Sequence, residues 1–417
     1  MMINKYGKKI FLVSVITLML LANAGSYSRA TKSESAIHTI YVAKNGDKNA
    51  SGDKKHPLNS LQKAMDMATE GTTIYVRKGT YKGPFVFHKS GSKNRGCITV
   101  TAYKNEKVII SGSKNKSGAA FNINGCSYIK IQRLKIGDMK AKDVCGILLE
   151  QSENNITIRN CEFEKLVTTE PGSKLKPGGN SNAILLLGER KKSIHHIYIL
   201  SNKVHDNVNG WSENISVAGN CKYIYVKKNK IYNNTNIGID FYGNAEYCPI
   251  TLLDQPRNCQ CIGNTVYNCR SPFAENAGIY VDGARDVLVK GNKVFKNHYG
   301  IEIGSEEWRN YYSDENRVQN IKVCENIIYD NYESGLRIGG WSNDETTGVV
   351  YGCKVIDNDF KRGNYKCEII LAKCENIVFK GNIFKNNKKC RDVVVYDDGI
   401  NRNKIKSIKM SNRYGGR

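Results

Sequence analysis

The sequence predicts an all-β protein, a single-stranded right-handed parallel β-helix (a solenoid) with a helix capping its N-terminal end. Three observations carry that prediction. First, one phrase recurs: NKIYNNTNIGIDFYG (229–243), NKVFKNHYGIEIGSE (292–306) and NIIYDNYESGLRIGG (326–340) each combine an Asn, a hydrophobic pair, a turn and a Gly-apolar-x-apolar run. Fainter copies begin at Asn160, Asn202, Asn264, Asn358 and Asn382. Successive anchors lie about 24 to 42 residues apart, the period of solenoids and arrays. Second, apolar residues alternate within each unit (Val287-x-Val289, Ile321-x-Val323, Ile377-x-Phe379), which is strand spacing. Third, no helical stretch separates these strands, so βαβ units are excluded and each strand must pair with its counterpart in the next turn. A propeller blade needs four strands per repeat, and only two or three fit here.

Residues 1–24 read as an export signal: Lys5, Lys8 and Lys9, an apolar run from Ile10 to Leu21, then Ala22-Asn23-Ala24 as the cleavage site. The run is too short for a membrane span, and no later segment is long and apolar enough for one. The expectation is a secreted, extracellular protein cleaved after about Ala24, with residues 25–37 flexible. The formal charge is +24, and the signal contains three lysines and no acid, so its removal leaves +21. Such a basic chain is either a solvated Lys- and Asn-rich surface or a holder of a polyanion. For an exported protein that polyanion is an acidic polysaccharide, since no nucleic-acid module signature is present. Fourteen cysteines raise the question of disulfides. Most fall at strand and turn positions suited to small buried residues. Cys248, Cys259, Cys261 and Cys269, around one insertion, form the group expected to include a bridge.

Residues 38–115 hold the cap and first rungs, and residues 116–417 the repeats. A strand is expected at Thr39–Ala43. A helix follows from Pro57 to about Ala68, with Leu58, Leu61, Ala64, Met65 and Ala68 on one face, then a strand at Thr73–Arg77. A helix there covers the open edge of the first rung. Tyr41-Val42 with Gly46, the proline-led helix, and Gly71-Thr-Thr-Ile-Tyr-Val-x-x-Gly79-Thr-Tyr81 together resemble the start of pectate-lyase-like β-helix proteins, including polysaccharide lyase family nine. The likeness covers residues 38–110, and the generic right-handed β-helix repeat follows. It implies the fold and a carbohydrate-active protein. Family nine lyases use a Lys base and an aspartate-rich calcium cluster mid-helix. This chain has no such stretch there, and its one adjacent aspartate pair, Asp397-Asp398, falls in the last rung.

Aligning rungs on the Gly-apolar step places Ile239, Ile279, Ile301 and Leu336 inward, so Asp240, Tyr280, Glu302 and Arg337 point outward on adjacent rungs. Two residues on come Tyr242, Asp282, Gly304 and Gly339. Flanking rungs are bland at these positions (Leu148, Ser216, Ile370). An outward patch of Asp, Tyr, Asp, Glu and Arg is the candidate catalytic site. A lyase must neutralise a uronate carboxylate and remove the C5 proton. Tyr280 or Arg337 would be the base, Arg257 or Arg285 the carboxylate partner, and Asp240, Asp282 and Glu302 a possible calcium site. An inverting hydrolase would instead use Asp282 with Asp240 or Glu302. A non-catalytic glycan-binding or cell-surface protein would depend on the aromatics. Tyr242, Trp308, Tyr311 and Trp341, with Tyr247 and Tyr312, follow the outgoing strand ends, where loops carry binding residues. His205 and His298 are expected in turns, and the anchor asparagines in hydrogen-bonded ladders. The leading expectation is a monomeric polysaccharide lyase acting on an acidic polysaccharide.

Overall fold

The computed structural model describes residues 38–112, 116–176, 178–306, 317–339, 349–361, 367–385, 394–396, 405–406 and 409–414. The proposed signal and flexible segment, Trp308, Tyr311, Tyr312, Trp341 and the pair Asp397-Asp398 lie outside these residues. The architecture is the predicted one. Every named strand pair is parallel, in a 27-stranded sheet and an 11-stranded sheet. A typical rung gives one strand to the smaller sheet (Ile215–Gly219) and two to the larger (Cys221–Lys227 and Lys230–Asn234), before the chain returns to the smaller sheet at Ile239. No described helix is long and apolar enough to cross a membrane.

Inward positions build one continuous core. Ile197, Ile224 and Cys259 from one face meet Ile184, Ile215, Ile239 and Ile279 from another, all at most 1% exposed. At the N-terminal end the strand runs Thr39–Asp47 and the helix spans Leu61–Met67, four residues later in starting than expected. Ser60 is the reason: its side chain accepts the Lys63 N–H and caps the helix. Leu58, ahead of the cap, instead bridges Val42 and Asp47. Leu61, Ala64 and Met65 then join Ile40 and Ile74 in the core.

The turn between the two larger-sheet strands is held by asparagine. Asn202, Asn229, Asn264, Asn292, Asn326 and Asn358 each donate their backbone N–H and Nδ2 to Oδ1 of the next ladder asparagine, at 2.8–3.0 Å, and Asn382 passes the ladder on through its Nδ2 to Asn412 Oδ1 at 3.0 Å. Each Nδ2 also donates to a backbone carbonyl of the preceding rung, as Asn292 does to Cys261 at 2.9 Å. In the rung that begins the ladder, the anchor position is Cys161 rather than Asn160: the Cys161 N–H donates to Asn202 Oδ1, while Asn160 is exposed with φ 52°. A second, unanticipated ladder runs through Asn207, Asn234, Cys269, Asn297 and Asn331.

The expected bridge among Cys248, Cys259, Cys261 and Cys269 is absent: all four are free buried thiols. Cys259, Cys261 and Cys269 serve as small core residues. Burial pushes each of those three thiols up to about 12, so they stay protonated.

Replacing Asn292 by Ala removes one acceptor serving two buried donors and strands the Cys261 carbonyl. A destabilisation of about 3 kcal/mol is expected. Lys203→Ala, at an exposed position beside the equivalent turn three rungs earlier, should change stability by about 0.5 kcal/mol or less. Denaturant midpoints of the two variants check this. Equal midpoints would remove the ladder from the account of stability.

Candidate active site

The smaller sheet stacks its strands in register. Ser216, Asp240, Tyr280, Glu302, Arg337 and Ile370 are direct neighbours, on Ile215–Gly219, Ile239–Tyr242, Ala277–Asp282, Tyr299–Gly304, Ser334–Ile338 and Ile369–Leu371. Alternation sends their neighbours Ile239, Ile279, Ile301 and Leu336 into the core, so the patch does face away from it. Facing outward does not leave the patch open to solvent: Asp240, Tyr280, Asp282, Glu302 and Arg337 are all 1–4% exposed. Connecting segments cover them. Trp211, Ser212 and Glu213 stand ahead of one strand and Glu275 and Asn276 ahead of another, while Tyr242 ends its strand and Tyr247 and Glu306 follow theirs. Together they enclose a cavity of about 300 Å³ over the patch. Ile237, Ala277, Tyr280 and Tyr299 pack there as a small apolar cluster of their own. Beside Asp282 the floor is glycine: a Cβ on Gly304 would stand 2.8 Å from the Gly339 carbonyl oxygen.

Six carboxyl groups line this cavity: Glu213, Asp240, Glu275, Asp282, Glu302 and Glu306. Asp282 Oδ1 accepts the Glu306 N–H at 2.9 Å. Glu302 Oε1 lies 3.5 Å from Arg337 Nε, and the Arg337 guanidinium sits over the Tyr299 ring at 5.7 Å. Asp240 Oδ1 and the Tyr280 hydroxyl have no hydrogen-bond partner among the described residues. Burial, then the charges of Glu213 and Glu306, hold the Asp240 carboxyl well above the usual range. Burial and Glu306 do the same to Asp282. The Tyr280 phenol is also raised, by burial and then by Asp282 and Glu302, so it keeps its proton. Glu213 is pushed up to about 6 by burial.

Of the binding residues expected from sequence, Tyr242 lines the cavity, edge-on to Tyr247 at 5.6 Å. Arg257 and Arg285 do not. They open successive strands of the larger sheet and stack on each other in register. Arg257 is tied to the Gln255 carbonyl at 3.0 Å and Asn220 Oδ1 at 2.9 Å, which makes it a turn fastener. His298 lines a separate hollow with Arg270 and Ser271. Trp211, Glu213, Glu275 and Glu306 were not anticipated. A signal existed for two of them: Glu213-Asn214 and Glu275-Asn276 both stand directly ahead of a strand of this sheet. In each pair the Asn is buried and bonded to a backbone carbonyl, while the Glu reaches the cavity.

The chain matches the family described as "Pel9A-like, right handed beta helix region" over residues 40–271, and the broader "right handed beta helix region" over 192–363. It is 29% identical over 410 residues to the uncharacterized protein YwoF of Bacillus subtilis (strain 168), covering 91% of this chain and 84% of that one. It is 28% identical over 166 residues to pectate lyase PEL9 of Emericella nidulans, covering 36% of this chain and 38% of the lyase. Among solved structures, the fold resembles PfbA, a surface adhesin of Streptococcus pneumoniae (TM-score 0.55, 14% identity, 90% of each chain). It also resembles the PL6 family polysaccharide lyase Pedsa3628 from Pseudopedobacter saltans (TM-score 0.51, 15% identity, 85% of this chain and 91% of that one). At those identities the structural likeness speaks to fold alone. The family match spans more than half of the sequence, and the chain belongs to the Pel9A-like right-handed β-helix family.

Proposed function

We propose that the acidic cavity is a saccharide-cleaving site and that the exported protein cuts an acidic, uronate-containing polysaccharide by β-elimination. The observation that carries this reading is the in-register set Asp240, Tyr280, Glu302 and Arg337, with Asp282, beneath a cavity lined by six carboxyl groups. Family membership and the pectate lyase relative support it. Asp240, Asp282 and Glu302, each at most 2% exposed and with three further carboxyl groups around the same cavity, cannot all carry charge uncompensated. They are neutralised either by a bound cation or by protons, and each neutraliser corresponds to one chemistry.

The donor set fits a hard cation. All donors are oxygens, and Asp240 Oδ1 is buried with no hydrogen-bond partner among the described residues. Asp240 and Asp282 would hold calcium, whose charge, when bound, offsets the uronate carboxylate and acidifies the C5 proton. Glu302 differs from them because the Arg337 guanidinium already faces it at 3.5 Å. Glu302 takes the C5 proton, the C–H electron pair forms the C4–C5 double bond, and the bond from C4 to the glycosidic oxygen breaks. The Tyr280 hydroxyl, which burial keeps protonated, gives its proton to that leaving oxygen. Tyr280 is therefore a donor rather than the base. Arg337 pairs with Glu302 and turns its charge toward the substrate carboxylate.

A second reading rests on the protons. Asp240 and Asp282, held above the usual carboxylate range by burial and neighbouring acids, keep a proton to higher pH than an ordinary carboxyl, as suits a general acid. Glu302 would then activate water, giving a glycoside hydrolase.

Incubation with polygalacturonate, alginate and neutral glycans, with and without chelator, separates the two. Ultraviolet-absorbing unsaturated products that vanish on chelation are expected. New reducing ends without absorbance would favour hydrolysis, and no cleavage of any polymer would defeat both readings. The pH profiles also differ in sign. Elimination should rise with pH as Asp240 and Asp282 lose protons and take the cation. Hydrolysis should fall over the same range.

Two variants probe the groups themselves. Glu302→Gln should lower activity about a hundredfold or more. It should also cost about 3 kcal/mol, because Arg337 (side chain 5% exposed) loses its counter-charge. Asp240→Asn should act oppositely on stability. A carboxyl whose folded pKa is raised stabilises below its unfolded pKa, and that contribution is lost as pH rises through the folded value. In chelator, the parent should thus lose melting temperature from mildly acid to alkaline pH, and Asp240→Asn should lose less. Parallel melting curves would show that Asp240 is not protonated in the fold.

A further inference from the structure

A second cluster lies on the larger sheet, away from the cavity. The strand Glu162–Thr168 carries Glu162 and Glu164, and the strand Lys203–His205 places His205 in register with Glu164 one rung on. The sequence suggested a solvated turn histidine; His205 is instead a strand residue, 6% exposed. Its ring is fixed on two sides. It stacks on Tyr232 at 4.8 Å and 12°, at the head of a run through Tyr267, Phe295 and Tyr329. Its Nδ1 lies 2.7 Å from Asp206 Oδ2, an acceptor suited to a hydrogen on that nitrogen. A ring held in that tautomer would present the Nε2 lone pair to a ligand.

Nε2 points at carboxylate oxygens, 3.2 Å from Glu162 Oε1 and 3.8 Å from Glu164 Oε2. One ligand atom from each of the three residues lies within 4.8 Å of the others. Lysines occupy the far side of Glu164: Lys135 Nζ is 2.5 Å and Lys165 Nζ 3.9 Å from Oε1, which leaves Oε2 turned toward His205. Three electron-pair donors thus converge on one point, and such an arrangement is repulsive unless a positive charge stands between them.

We propose that Glu162, Glu164 and His205 bind a divalent transition ion of the zinc class. One imidazole nitrogen and two carboxylates suit zinc, whereas calcium prefers all-oxygen sets. Asp206 is the outer partner that orients the imidazole. The ion clips together the rungs at 162–164 and 203–205, a staple between strands otherwise joined by backbone hydrogen bonds.

The test uses chelator-treated full-length protein, titrated with Zn²⁺ by calorimetry and with Co²⁺ by visible absorption. Binding of one ion per chain that persists in Asp240→Asn is expected, with a raised melting temperature. The Co²⁺ spectrum should lack the near-ultraviolet band of thiolate ligation. His205→Phe keeps a ring to stack on Tyr232 but removes the nitrogen, and should weaken binding at least roughly tenfold. Lys135→Met removes a competing charge and should tighten it. Asp240→Asn should leave this binding unchanged, which separates it from any ion in the cavity. The proposal is overturned if His205→Phe binds like the parent, or if a thiolate band appears. It is equally overturned if neither ion binds.

Discussion

Everything distinctive in this molecule depends on parallel stacking in fixed register. Each rung repeats its predecessor at about 4.8 Å, so equivalent positions form continuous lines along the axis. The asparagine ladder is the physical lock on that register. A buried amide that both accepts from the rung before and donates to the rung after is satisfied only when adjacent turns align residue on residue. A slip by one residue would leave several buried donors stranded at once, and would exchange the core face for the outer face.

That register turns single residues into lines with different physics. Inward lines are interchangeable Ile, Val, Leu and Cys. The outward line of the larger sheet becomes an aromatic stack in which Tyr232, Tyr267, Phe295 and Tyr329 cover each other's faces at 4.6–5.2 Å. Those ring faces are spent on one another, so the stack reads as part of the frame. The outward line of the smaller sheet becomes acidic. There, covering segments remove water from carboxyl groups that would otherwise be ordinary surface charges, and desolvation raises Asp240 and Asp282.

Net charge and local charge therefore point in opposite directions. A chain of formal charge +24 would seem ready to hold a polyanion through basic residues. The cavity over the in-register patch is instead lined by acids, with Arg337 close to Glu302 and Arg257 bound to a carbonyl and Asn220. A polyanionic substrate there requires a cation as intermediary, and a neutral one does not. The basic surplus lies outside this cavity, on residues such as Lys203 and Lys230, in register on adjacent rungs, and Lys293, in the same exposed line beyond Thr265.

Much of this was legible in the residues. The repeat, the period-two alternation and the anchor asparagines from Asn202 onward are local, and they determine a stacked solenoid because no other arrangement buries every Gly-apolar step. The line Asp240, Tyr280, Glu302 and Arg337 followed from the same alignment. The one-residue error at Asn160 arose where Cys161 takes the ladder position, a substitution invisible to a pattern keyed on Asn. Burial of the acidic line, the place of Trp211 in the cavity wall, the turn-fastening of Arg257, and the approach of His205 to Glu162 and Glu164 were decided by the tertiary structure alone. Alternation states which side of a strand a residue takes, but solvent access depends on segments arriving from other rungs, and a pKa depends on that access.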